Sequence, residues 1–66
     1  MSCREYAMYY GFPVVGKLKR MPDRYYGVQN GHYRWYMDEA GNEYLMDNPY
    51  GKWICSCIVT WDGRVI

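Results

Sequence analysis

Apolar and polar positions alternate most clearly over residues 52–61, KWICSCIVTW, the longest near-continuous apolar run in the chain. At period two, Trp53, Cys55, Cys57, Val59 and Trp61 share one face, and Lys52, Ile54, Ser56, Ile58 and Thr60 share the other. β-Branched and aromatic side chains suit a pleated surface and disfavour a helix, so the run predicts a strand over 53–61. The first face is wholly apolar and is expected to be buried. The second mixes Ile with Ser, Thr and Lys and is expected to be partly covered, which places the strand inside a sheet. Pro49-Tyr50-Gly51 before it and Asp62-Gly63 after it are turn signals.

Two hairpins precede this strand. Asn30-Gly31 separates the aromatic runs 24–29 and 32–37, and Asn-Gly between such runs marks a two-residue turn. That loop length sets Tyr25 opposite Tyr36 and Tyr26 opposite Trp35. One face then carries Tyr26, Val28, Tyr33 and Trp35, the better core, and the other carries Tyr25, Gly27, Arg34 and Tyr36. The loop over 38–42 joins Met37 to a strand over 43–46. A three-residue connection, Glu39-Ala40-Gly41 with a left-handed Gly41, pairs Tyr36 with Tyr44 and Trp35 with Leu45. A four-residue connection would reverse the faces of the third strand.

The first twenty residues carry weaker patterns. Glu5 to Tyr10 fit either a strand or a single helical turn, and Gly11-Phe12-Pro13 interrupts them. Residues 14–20 read as a short strand whose Lys17 and Lys19 mark a sheet edge. Met21-Pro22-Asp23 is a turn. At the other end, Trp61-Asp62-Gly63-Arg64 is a turn from which Val65-Ile66 returns as a stub. These elements predict an all-β chain, 1–66, forming one small domain. It is an antiparallel meander of about five short strands, arranged as a bent sheet or an SH3-like barrel.

Composition sharpens this picture. A chain of 66 residues has a thin margin of stability, and thirteen aromatic residues (nine Tyr, three Trp, one Phe) supply its core. So many rings in so short a chain are expected to leave some at the surface, and a homo-oligomer is open. The formal net charge of +1 gives no whole-protein field toward nucleic acid or a membrane surface. No apolar stretch approaches the ~20 residues of a membrane span, and the first residues do not form a signal peptide. Three cysteines, two of them a single residue apart on one strand, point to a reducing, cytoplasmic setting rather than a disulfide scaffold.

The candidate binding residues follow from the hairpin register. Tyr25, Tyr36 and Tyr44 line up across three strands beside Arg34 and Met46, an aromatic platform suited to a protein partner. In the alternative, the N-terminal segment covers this row as a second small core. Lys17, Lys19, Arg20 and Arg24 form a basic cluster that, with the tyrosines, would serve single-stranded nucleic acid; otherwise it is a solvated edge. Asp38, Glu39, Glu43 and Asp47 gather at the other hairpin end, which suggests a charge dipole. Cys3, His32, Cys55 and Cys57 are four possible zinc ligands, but their spacing is not that of a zinc site and free Cys packs as a small apolar residue. No paired nucleophile and base and no glycine-rich phosphate loop appears, so the chain is read as non-enzymatic and without a cofactor. The expected role is a protein-interaction module, such as a phage or mobile-element accessory protein that occludes a host surface.

Overall fold

The computed structural model describes residues 2–21 and 33–66. A short helix, α1 (Cys3–Tyr9), precedes four strands: β1 (Lys19–Arg20), β2 (Tyr33–Met37), β3 (Glu43–Asp47) and β4 (Ile54–Val59). They form one antiparallel sheet in the order β1-β2-β3-β4. Among the described residues β1 and β4 are its ends and do not pair, so the sheet is open and is not a closed barrel. The sequence pattern expected about five strands. The described residues hold four, with Val65 returning to bridge Val59 on the outer side of β4.

An antiparallel sheet of short strands is as expected, but β1 pairs directly with β2 where the strand over 24–29 was expected, and the N-terminal segment resolves into a helix. Its start is built by Ser2 and Glu5: the Glu5 amide donates to the Ser2 hydroxyl at 3.2 Å, and the Ser2 amide donates to the Glu5 carboxylate at 3.0 Å. This reciprocal cap satisfies two amide donors that a helix start otherwise leaves open. Cys3 and Ala7, one turn apart, are buried against the sheet, while Arg4, Glu5, Met8 and Tyr9 face outward. Tyr6 fastens the helix to the far end of the chain, its hydroxyl lying 3.3 Å from the Ser56 carbonyl and 3.4 Å from that of Ile66.

Of the strand expected over 14–20, only Lys19 and Arg20 pair, as an edge beside β2. Arg20 lies across from Tyr36, the position that the hairpin expectation gave to Tyr25. Tyr25, Arg24, His32 and the Asn30-Gly31 turn lie outside the described residues. The second hairpin has the expected register, with Trp35 opposite Leu45, Tyr36 opposite Tyr44, and Gly41 left-handed at φ +90°. Only glycine takes that conformation without strain.

The strict alternation expected of β4 breaks at Ser56. Leu45 faces Cys57 and Met46 faces Cys55, so Ser56 is an extra residue, a β-bulge. The bulge exchanges the faces. Cys55 is buried before it, and Ile58 and Thr60 are buried after it, whereas Trp61 is exposed. Cys55 and Cys57 therefore pack with opposite faces of β3. The main core consists of Cys3, Ala7, Val14, Tyr44, Met46, Cys55 and Ile58, edged by Tyr6, Phe12, Leu18, Tyr36, Trp53 and Ile66. Trp35 is buried apart from it.

Candidate binding surface

The core composition corrects the expected aromatic platform. Tyr44 has no exposed surface and Met46 is also buried, because α1 and the 12–18 segment cover that face of the sheet. Tyr36 is half-buried at the edge of the same core. The guanidinium carbon of Arg34 lies 4.0 Å from the centre of the Trp53 ring, a cation–π contact that ties this side chain to its own fold. Of the five expected binding residues, Tyr44 and Met46 are thus core, Tyr36 is at its edge, and Arg34 is held over Trp53. The fifth, Tyr25, lies outside the described residues.

Electrostatics explains why a tyrosine can be sealed there. The Tyr44 hydroxyl donates to Oδ2 of Asp38 at 2.8 Å. Asp38 also accepts from the amides of Val15, Ala40 and Asn42 and from the Asn42 side chain, at 2.9–3.2 Å. Burial pushes the Asp38 carboxyl up, but the bonds from Asn42, Val15 and Tyr44 outweigh it and hold the carboxyl below its ordinary range. Burial, and then the bond to Asp38, push the Tyr44 phenol well above its ordinary value.

The expected charge dipole is also absent in this part of the chain. Glu39 accepts from the Lys17 amide at 2.7 Å, and Lys19 lies across from Met37, whose other neighbour is Glu43. The acidic hairpin and the basic edge therefore adjoin. Lys17, Lys19 and Arg20 are exposed there.

Among the described residues the exposed aromatic rings are different ones: Tyr9 at the end of α1, Tyr10 just after it, Tyr33, Tyr50 and Trp61. Trp61, 74% exposed, has the most defined setting. It stands on the 60–64 loop, which repeats the construction of the 38–42 loop. In each, the first residue's amide donates to the carbonyl four residues on, at 3.0 Å from Asp38 and 2.8 Å from Thr60. In each, a left-handed glycine, Gly41 or Gly63, donates back to the first residue's carbonyl. The first side chain, Asp38 or Thr60, accepts from the amide that closes the loop. The two tips are stitched together by the Trp61 amide, which donates to Oδ1 of Asn42 at 2.9 Å.

Between the tips and the 12–15 segment lies an open cleft of about 290 Å³. Phe12, Pro13, Val15, Ala40 and the Trp61 indole give it apolar walls, and Asp62 and Arg64 stand at its rim. Its polar groups are engaged with one another: the Thr60 hydroxyl bonds to the Asp62 carboxylate and accepts from the Arg64 amide, the Arg64 guanidinium lies 4.0 Å from Asp62, and Asn42 bonds to Asp38 and the Trp61 amide. Among the described residues, no group of three or more His, Cys, Asp or Glu side chains is gathered to hold a metal ion, and no helix is long and apolar enough to cross a membrane. No protein-family model, no curated protein and no solved structure matches this chain. The geometry of the surface therefore carries the functional reading. Sequence reasoning had the exposed rings in kind but not in place, because the bulge that turns Trp61 outward leaves no mark in the apolar pattern.

Proposed function

We propose that the chain is a non-enzymatic protein-interaction module that docks on another protein through the Trp61 indole and the cleft beside it. One observation carries this reading: a tryptophan that is 74% exposed stands on a loop whose backbone is fixed at both ends. Tryptophan anchors are enriched where interface energy concentrates, and a pre-set anchor loses little freedom on docking. At about 290 Å³ the cleft lies at the small end of the usual range for ligand sites and has room for one or two side chains of an extended protein segment. Asp62 and Arg64 at the rim suit a partner with polar groups flanking that segment. A role as a phage or mobile-element accessory protein that occludes a host surface is a further step, supported only by the small size of the chain and its aromatic content.

The nucleic-acid reading retains exposed Lys17, Lys19 and Arg20 but loses Tyr44 as a stacking surface. The test compares capture from lysate by the native chain, Trp61→Ala and Lys19→Glu at low and moderate salt. The proposal expects a protein that is lost with Trp61→Ala and retained with Lys19→Glu, with weak salt dependence. Retained nucleic acid that dissociates between about 50 and 200 mM salt would overturn it. So would self-association in sedimentation that Trp61→Ala abolishes, because a second copy would then fill the cleft.

A further inference from the structure

The core contains sulfur chemistry that the docking surface does not use. Cys3 lies at the start of α1 and its thiol sits 3.2 Å from the Met46 sulfur. Met46 and Cys55 are direct partners across β3 and β4 on the core face. Side chains of directly opposed strand residues lie about 5 Å apart at Cβ. Cys3 and Cys55 therefore flank the same methionine, and α1 packs against β4. Both thiols are free and buried. Cys57, across the bulge, packs with the other face of β3 and is not part of this cluster.

We propose that Cys3 and Cys55 form a redox-active pair, in which Cys3 attacks a small-molecule disulfide and Cys55 resolves the product into a bond that joins α1 to β4. Access comes from a mostly apolar cavity of about 270 Å³, lined by Ser2, Cys3, Arg4, Leu18, Tyr36 and Met46. Arg4 is part of that lining and donates to the Gly16 carbonyl at 2.8 Å, and its charge suits the carboxylates of a peptide disulfide such as oxidised glutathione.

Roles within the pair follow from the thiols' surroundings. When Cys3 ionises, the Cys55 thiol donates a hydrogen bond to it; that bond, aided by Arg4, holds the Cys3 thiol below its ordinary value despite burial. The same bond, with burial, pushes Cys55 up. Burial alone pushes Cys57 up. The thiolate is the attacking species, so Cys3 reacts first. Its sulfur attacks one sulfur of the disulfide, RSSR, forming a Cys3–S–S–R bond and releasing RS⁻, which takes up the proton Cys3 lost. The Cys55 sulfur, as thiolate, then attacks the Cys3 sulfur and expels the second RS⁻, which takes up the proton from Cys55. The two cysteines are oxidised, and RSSR is reduced to two thiols.

The full chain is treated with oxidised glutathione, blocked with an alkylating agent, digested without reduction and mapped by mass spectrometry. The expected product is a peptide pair linked between Cys3 and Cys55, with Cys57 alkylated as in the reduced chain. The linkage persists in Cys57→Ser, and Cys55→Ser stops at glutathione on Cys3. The oxidised native chain unfolds at higher denaturant than the reduced chain, because the new bond closes a long loop. A link between Cys55 and Cys57, glutathione remaining on Cys3 in the native chain, or equal modification of all three cysteines would overturn the proposal. The native chain's map decides the matter even if Cys55→Ser does not fold.

Discussion

Tyr44 and Asp38 close a buried hydrogen bond of 2.8 Å between a phenol and a carboxylate. The bond joins the start of β3 to the first residue of the loop between β2 and β3. Through Asp38 it reaches on to Val15, so one carboxylate gathers the hairpin tip, the segment after α1 and the core. A polar ring is stable in that core because its one polar atom has a charged partner, and such bonds are worth more than neutral ones.

Asp38→Asn presents an amide to donors that now meet a carboxylate, and is expected to cost about 2–3 kcal/mol near neutral pH. The native Asp38 carboxyl lies below its unfolded value of about 3.9, so its contribution is present above that pH and lost as pH falls through the folded value. Unfolding midpoints of the native and Asp38→Asn chains should therefore converge as pH drops below about 4. A gap that stays constant to about pH 2 would show that ionised Asp38 is not the source of the difference.

Gly16 has φ +69°, and a Cβ there would run into the Glu39 carboxylate that accepts from the Lys17 amide. Gly16→Ala is expected to destabilise the fold by about 1–2 kcal/mol from the left-handed backbone alone, plus the displaced Glu39 bond. In a chain already carrying Glu39→Ala the same substitution should cost less. Equal costs in the two backgrounds, measured by chemical denaturation, would separate Gly16 from Glu39.

The bulge at Ser56 has a direct consequence for stability. Ile58 has no exposed surface, whereas Trp61 is mostly in solvent. Ile58→Ala is expected to cost about 2–4 kcal/mol, and Trp61→Ala within about 0.5 kcal/mol, even though the larger side chain is removed in the second case. Strict alternation would predict the reverse order, so denaturation of the two variants tests the bulge itself.

Several features were legible from residue order because they depend on local chemistry. Gly41 after Glu39-Ala40 set the second hairpin's register, Lys19 marked what is an end of the sheet among the described residues, and Asp62-Gly63 marked the last turn. The helix stayed open against a strand over Glu5 to Tyr10, although the Ser2-x-x-Glu5 spacing is a capping-box signature that could have decided it. Seven residues give too short a periodic signal to decide between the two. The faces of β4 were misread because one unpaired serine reverses them, and apolar residues lie on both sides of that point. The buried state of Tyr44 depended on Asp38, six residues away, with which no pattern of periods pairs it.

Ser2→Ala removes one half of the cap and leaves the Glu5 amide without its partner. The expected loss is about 1 kcal/mol, concentrated in α1. Because α1 holds Cys3 under cover, alkylation of Cys3 should speed up more than that of Cys57, which lies outside that core. Parallel acceleration at both cysteines, followed by time-resolved mass spectrometry, would mean that the whole chain opens as one unit.

The stitch from Asn42 to the Trp61 amide makes the two hairpin ends a single stiff piece. Whatever meets the indole finds its position already chosen, so the search for a fit is left to the visitor. Asn42→Ala, which removes the stitch and one side chain of the cleft lining, should then slow capture more than it hastens release, since the ring would have to be caught among many poses before it could settle.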